Sequence, residues 1–263
     1  MKYVLITGAA GGMGGAVLDH FVSLGYTVFA LDRKEVKARE NVISLVADVT
    51  DEESLRAAFD EVVSVTRELY AVIDLAGIYM LDSLAEMERE KFERAFAVNV
   101  EGAFLVNRTF LPLLKEGSRI VIVTSELAVR EPLPFTGIYG ITKTALDKYA
   151  YSLRMELQLI GIGVSVLRAG AVGTGLLDDS VRQLDRFCEA TKLYKCNADR
   201  FRRIVGRVEA RCVPPEVIAK KIGRILGKRR PAFSYSVNRN PLLILFDKLP
   251  ERLRFFVIRK ILK

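Results

Sequence analysis

Tyr139 and Lys143 stand four residues apart in "IYGITKTALDK", so one turn of helix would place a phenol and an ammonium on the same face. Such a pair can move a proton. The chain has 9 Tyr and 15 Lys, so chance alone supplies roughly half a match to Tyr-x-x-x-Lys. The pair gains meaning only from the elements that would position it.

A second chemical signal lies near the start. "TGAAGGMG", Thr7 to Gly14, joins an apolar run, "YVLIT", to a helical pattern ending at Gly25. Gly8, Gly12 and Gly14 have the logic of a dinucleotide turn. One glycine permits the sharp bend, one lets the backbone approach a pyrophosphate, and one lets helix pack on strand. Met13 opens the helix whose N-terminus would face the phosphates. No Gly-Lys-Ser/Thr follows, which excludes a P-loop. Asp32 closes the second strand, 24 residues after Gly8, where an acid accepts hydrogen bonds from ribose hydroxyls and repels a 2′-phosphate. That favours NAD over NADP, although Arg33 and Lys34 follow at once.

Strand and helix patterns alternate through the first two-thirds: "TVFALD", "NVISLVADV", an acidic-capped helix from Asp51, "YAVIDLAG", a long helix from Arg89 closing near Lys115–Gly117, "SRIVIVTS", a long helix from Thr136 to Gly161, and "GVSVLRAG". This alternation predicts an α/β fold, a doubly wound parallel sheet of Rossmann type, with ligands beyond the carboxyl ends of the strands. After Gly170 the pattern loosens. Residues 174–213 are polar and basic without a strand, "PAFSYSV" reads as a last strand, and 241–263 as a basic amphipathic extension. The expected organisation is one domain over 1–240 plus that extension.

Composition narrows the chemistry. Of 263 residues half are hydrophobic, so the chain is built for a core. The only histidine, His20, lies early in a helix and reads as structural. Zinc hydrolysis and Ser-His-Asp catalysis are disfavoured and no metal is expected. Cys188, Cys196 and Cys212 lack C-x-x-C spacing and fit a reducing, cytoplasmic setting. Lys2–Thr7 reads as a core strand, so no signal peptide is expected before it, and no run of about 18 apolar residues occurs.

The net charge of +8 is unevenly spread: residues 1–180 carry −7 and residues 181–263 carry +15. The extension could pack on the fold or cap a pocket, lie peripherally on a membrane surface, or capture an anionic substrate. Arg200, Arg202, Arg203, Arg207 and Arg211 cluster without a nucleic-acid reading motif, and no nucleic-acid partner is expected.

Over residues 2–177 the chain resembles the short-chain dehydrogenase/reductase family. Ser125 ends the fifth strand, Tyr139 and Lys143 open the next helix, and Asn99 sits in "AVNVEGAFLV", similar to the family's Asn-bearing helix. The resemblance implies these four as the active site. It also implies dinucleotide contacts from Asp48 and Val49 in "ADV", from Ala76 and Gly77 in "DLAG", and from Ala169, Val172 and Thr174 in "AGAVGT". Three departures stand out: Asp74 and Leu75 replace the two asparagines of Asn-Asn-Ala-Gly, Ala169 replaces a proline, and Ser125 lies 14 residues before Tyr139 rather than 13. Thr124 is the alternative to Ser125.

The implied reaction needs these residue types. Removing hydride from an alcohol requires its proton to leave in step. A free phenol, with a pKa near 10, is a poor base at neutral pH, and a neighbouring ammonium favours the phenolate. Ser125 would hydrogen-bond the substrate oxygen, and Asn99 would hold a water chain from Lys143. "REPLPFTGIY" brings Leu133 and Phe135 beside the phenol and resembles loops of the hydroxysteroid and retinol branches. The expected substrate is therefore a lipophilic secondary alcohol or ketone, with a 3-oxoacyl thioester reductase or a dinucleotide-sensing protein as alternatives. The resemblance also implies a homodimer or homotetramer pairing through helices near 91–114 and 139–160.

Overall fold

The computed structural model describes residues 2–209 and 212–263. Its first unit is strand β1 (Tyr3–Thr7), helix α1 (Gly12–Ser23) and strand β2 (Thr27–Asp32). Then come β3 (Val42–Val46), α2 (Glu52–Val65), β4 (Leu69–Asp74), α3 (Arg89–Phe96), α4 (Gly102–Phe110), β5 (Leu114–Ser125), α5 (Gly137–Leu157) and β6 (Gly163–Ala169). The last third holds α6 (Gly175–Ala190), α7 (Lys195–Glu209), α8 (Pro215–Leu226), β7 (Ser234–Val237), α9 (Pro241–Asp247) and α10 (Glu251–Leu262).

All seven strands are parallel, in the order β3-β2-β1-β4-β5-β6-β7. The order reverses between β1 and β4, which opens a crevice at the carboxyl ends of the strands. Thr7, Asp32, Asp74, Ser125 and Ala169 all end strands on that edge. Both faces of the sheet are covered, as the unbroken apolar strands require. One face packs Leu5, Phe29, Val72 and Ile122 against α2, α4 and α5; the other packs Val4, Ile6, Val28 and Ile73 against α1 and α8. His20 lies at the α1–α8 contact, its ring against Gly223.

Two elements differ from expectation. The long helix from Arg89 is broken by a π-turn at Ala97–Glu101, and β5 begins at Leu114, where a closing turn was expected. Leu113 and Leu114 are buried, and Ser118 Oγ accepts from Lys115 N–H and donates to Leu69 O, so the segment is tied to the sheet while 115–117 stay exposed. The tail also does more than extend. Leu262 is buried in a third apolar cluster with Leu81, Phe187 and Phe201. No described helix is long and apolar enough to cross a membrane.

Asp74 is the one carboxylate buried within the central strands. Asn107 Nδ2 donates to its Oδ2 at 2.7 Å, but its Oδ1 and the Oδ1 of Asn107 are buried without partners. Both orphans are acceptors, so a proton on Asp74 supplies the donor the pair lacks. Burial accordingly pushes Asp74 up to about 7, against the Asn107 hydrogen bond that favours the anion. An unfolded aspartate titrates near 3.9. Between about pH 4 and 7 the folded state therefore holds a proton that the unfolded state has lost, and stability falls as pH rises through that window. Asp74→Asn should raise the melting temperature at pH 8 and leave it nearly unchanged at pH 4. The gain should be on the order of 1.4 kcal/mol for each unit of the pKa rise. An unaltered melting temperature at pH 8 would count against a charged, destabilising Asp74.

Candidate active site

The glycine turn is built around contacts that exclude side chains. Gly8 takes φ 68, and a Cβ there would lie 2.9 Å from Ala76 N; a Cβ on Gly14 would lie 2.0 Å from Gly8 O. A Cβ on Gly12 would press on Thr174 at 2.9 Å, which brings the segment after β6 against the turn. Gly11 caps α1 with no side-chain hydrogen bond, so the first N–H groups of the helix remain available for an anion. Met13 is half-buried on the α1 side of the core.

Asp32 holds the turn in place. One carboxylate oxygen accepts from Ala10 N–H and the other from Lys34 N–H, each at 3.0 Å. Asp48 accepts from both the N–H and the hydroxyl of Thr50. Burial alone would raise it, but these bonds and the charges of Arg33 and Arg94 keep its pKa below the ordinary value. Val49 is buried against Gly102. Thr7 Oγ1 accepts from Leu75 and Ala76 N–H and fixes the start of the "DLAG" segment. Ala169 is buried at the end of β6, and Val172 bridges to Val213.

Ser125, Tyr139, Lys143 and Asn99 come together beside that turn. Ser125 is buried, its hydroxyl accepts from Leu127 N–H, and it hydrogen-bonds the Tyr139 phenol. Thr124 faces α5 and donates to Asp147, one turn beyond Lys143. The Lys143 ammonium lies 5.7 Å from the Tyr139 ring centroid. Lys143 Nζ and Asn99 Oδ1 converge on Gly77, within 3.2 Å and 3.1 Å of where its Cβ would stand. Asn99 sits in the π-turn and is 1% exposed. Its Oδ1 accepts from Ile78 N–H at 2.7 Å, and its Nδ2 donates to Ile78 O and Thr142 Oγ1. The amide is thus a rivet between the π-turn, the strand-four loop and α5.

The electrostatics differ from the simple expectation that the ammonium lowers the phenol. Burial dominates. It pushes the half-buried Tyr139 up to about 12, against the hydrogen bond from Ser125, and brings Lys143 down to about 8. Burial disfavours the charged form of each group, the phenolate of Tyr139 and the ammonium of Lys143.

Several supporting residues carried no motif signal. Arg168 on β6 grips Asp147 on α5 through two hydrogen bonds of 2.9 and 2.8 Å. Asp147 is one turn beyond Lys143, so its i+4 spacing from the Tyr–Lys pair was readable. Tyr79 lies against the Tyr139 ring at 4.9 Å. Glu126, directly after Ser125, is buried; its carboxylate accepts from Asn240 N–H and meets Arg130, which also hydrogen-bonds Asp247 of α9. The basic cluster is partly neutralised, since Arg202 pairs with Asp185 at 3.1 Å; Arg211 lies outside the described residues.

A doubly wound parallel sheet, a glycine turn at its switch point and a Ser/Tyr/Lys/Asn set on one edge define a dinucleotide-dependent enzyme class by geometry. Residues 2–185 match the family model for short chain dehydrogenase, and the chain belongs to that family. It is 32% identical over 189 residues to estradiol 17-beta-dehydrogenase 2 of Mus musculus, covering 66% of this chain but 49%, about half, of that protein's length. It is 25% identical over 264 residues to 3-ketodihydrosphingosine reductase of Bacteroides thetaiotaomicron, covering 98% of this chain and 97% of that protein. A solved short chain dehydrogenase family protein from Francisella tularensis superposes with a TM-score of 0.77 at 21% identity, over 90% of this chain and 97% of the other, and shares the fold.

Gly77 offers a direct probe of this geometry. Gly77→Ala puts a methyl against Asn99 Oδ1 and Lys143 Nζ, and should lower turnover at least about tenfold while the melting temperature moves only a few degrees. Unaltered turnover would show that the two groups need not sit where they do.

Proposed function

We propose that the protein is a nicotinamide-dinucleotide-dependent oxidoreductase that interconverts a secondary alcohol and a ketone on a lipophilic substrate. The observation that carries this reading is the convergence of Ser125, Tyr139, Lys143 and Asn99 beside the Gly8–Gly14 turn. When bound, the dinucleotide supplies the hydride acceptor or donor. The phosphates would rest on the free N–H groups at the start of α1, with Asp32 toward the ribose, Asp48 and Val49 toward the base, and Ala76, Gly77, Ala169, Val172 and Thr174 lining the crevice.

The side chains would handle the proton. In alcohol oxidation Tyr139 takes the hydroxyl proton as the hydride leaves carbon; in ketone reduction it returns that proton to the forming alkoxide. Ser125 donates to the same oxygen and steadies its charge. Lys143 stabilises the phenolate, and Asn99 fixes the surrounding loop and links Lys143 toward solvent. A sensor of bound dinucleotide would have no use for this set.

The lipophilic substrate is supported by Leu133 and Phe135 in the loop just before Tyr139 and by the likeness to an estradiol 17-beta-dehydrogenase and a 3-ketodihydrosphingosine reductase. A 3-oxoacyl thioester is the second reading, and the +15 of the last third favours it. Phe104, Tyr151 and Met155 are exposed on α4 and α5, and pairing of two copies there would cover them.

Tyr139→Phe should reduce turnover by a factor of about 10² or more and leave dinucleotide binding by calorimetry intact. Retained turnover would refute the assignment. NAD should be preferred to NADP, with Asp32→Ala narrowing the gap; a much larger kcat/KM with NADPH in the unaltered enzyme would overturn the cofactor choice. Steroids, retinoids, fatty alcohols and acyl thioesters with both cofactors form the deciding panel.

A further inference from the structure

Apart from the proton-transfer centre, the fold holds a cavity of about 740 Å³. Leu84, Ala85 and the Glu131–Phe135 loop form one side, and the tail forms the other. On α10 the contributors include Arg254, Ile258 and Leu262, spaced four apart and therefore on one helical face. The volume is that of a site enclosing a whole small ligand. Its walls are mainly apolar. Among the described lining residues Arg254 is the cation, and Glu131 and Glu251 are the carboxylates.

The cavity adjoins the site without including it. Gly137 lines it, two residues before Tyr139 on α5, but Tyr139 and Ser125 do not. Phe135 lines it too, four residues before Tyr139. Its backbone takes φ 65, a conformation bulky residues rarely adopt, and such strain persists only where the surroundings over-determine it. Here the ring is held by Phe187, Tyr194 and Phe201 at 4.6, 5.2 and 5.3 Å, and the Phe135 carbonyl accepts from Asp82 N–H. Tyr79, whose ring lies tilted against that of Tyr139, belongs to the same cluster.

We propose that this cavity takes the hydrocarbon chain of the substrate, which is a single-chain amphiphile: the reacting carbon sits at Tyr139, the chain runs past Phe135 under α10, and Arg254 meets a polar end. The proposal rests on the oxidoreductase reading and narrows it. A substrate that uses both places must extend around Phe135, which a flexible chain does and a compact rigid skeleton does not.

Fluorescence of cis-parinaric acid, a single-chain polyene carboxylate, tests this without turnover. The unaltered protein and Tyr139→Phe should bind it with equal affinity. Ile258→Phe and Ala85→Phe fill the cavity from opposite walls and should each weaken binding about tenfold or more, with melting curves showing that they fold. Arg254→Gln, at a half-exposed position, should weaken it severalfold. No binding by the unaltered protein, or undiminished binding by both folded cavity-filling variants, overturns the proposal. Ketone turnover without parinarate binding would sink the cavity assignment alone. Binding without turnover of any alcohol or ketone would uphold the cavity and sink the oxidoreductase reading.

Discussion

The burial of the Lys143 ammonium is the constraint on which the rest of the site depends. Taking an ammonium out of water costs several kcal/mol unless something compensates. The structure places it on α5 against Gly77, Asn99 and the face of Tyr139, and burial draws its pKa down to about 8. The same burial raises Tyr139 to about 12. Burial thus disfavours the charged form of each group, side by side in one crevice.

Such an arrangement works only if nothing slips, and the surrounding fold is built to prevent it. Asn99 is locked to Ile78 and Thr142, and the helix that carries it adopts a π-turn to bring it there. The Asp147–Arg168 pair ties α5 to β6 one turn below Lys143. On the other side, Glu126 and Arg130 connect the segment after Ser125 to Asn240 and Asp247, which ties the tail to that segment. Buried ion pairs of this kind contribute geometry more dependably than stability.

Much of this was legible in the sequence. Gly8 and Gly14 announced a turn because only glycine fits their contacts, and strand order followed from apolar runs alternating with helices. Tyr139 and Lys143 were visible through spacing, and Ser125 through its place at the end of the fifth strand. What stayed hidden depends on long-range contact. Nothing local marks Ala97–Glu101 as a π-turn, Phe135 as left-handed, or Arg130 as a bridge to residues more than a hundred positions away. The rise of Tyr139 and the fall of Lys143 were likewise unreadable, since burial in the folded state, and not the pairing of charges, sets both.

The most direct test of the account is the pH dependence of kcat/KM for alcohol oxidation in the unaltered enzyme and in Lys143→Met. If Lys143 stabilises the Tyr139 phenolate, the unaltered profile should rise to an apparent pKa well below the value near 10 of a free phenol. In Lys143→Met that limb should move up by at least about one unit or leave the accessible range, with a large loss of rate at neutral pH. Identical profiles and rates in the two proteins would contradict the claim that this pair is the proton-transfer centre.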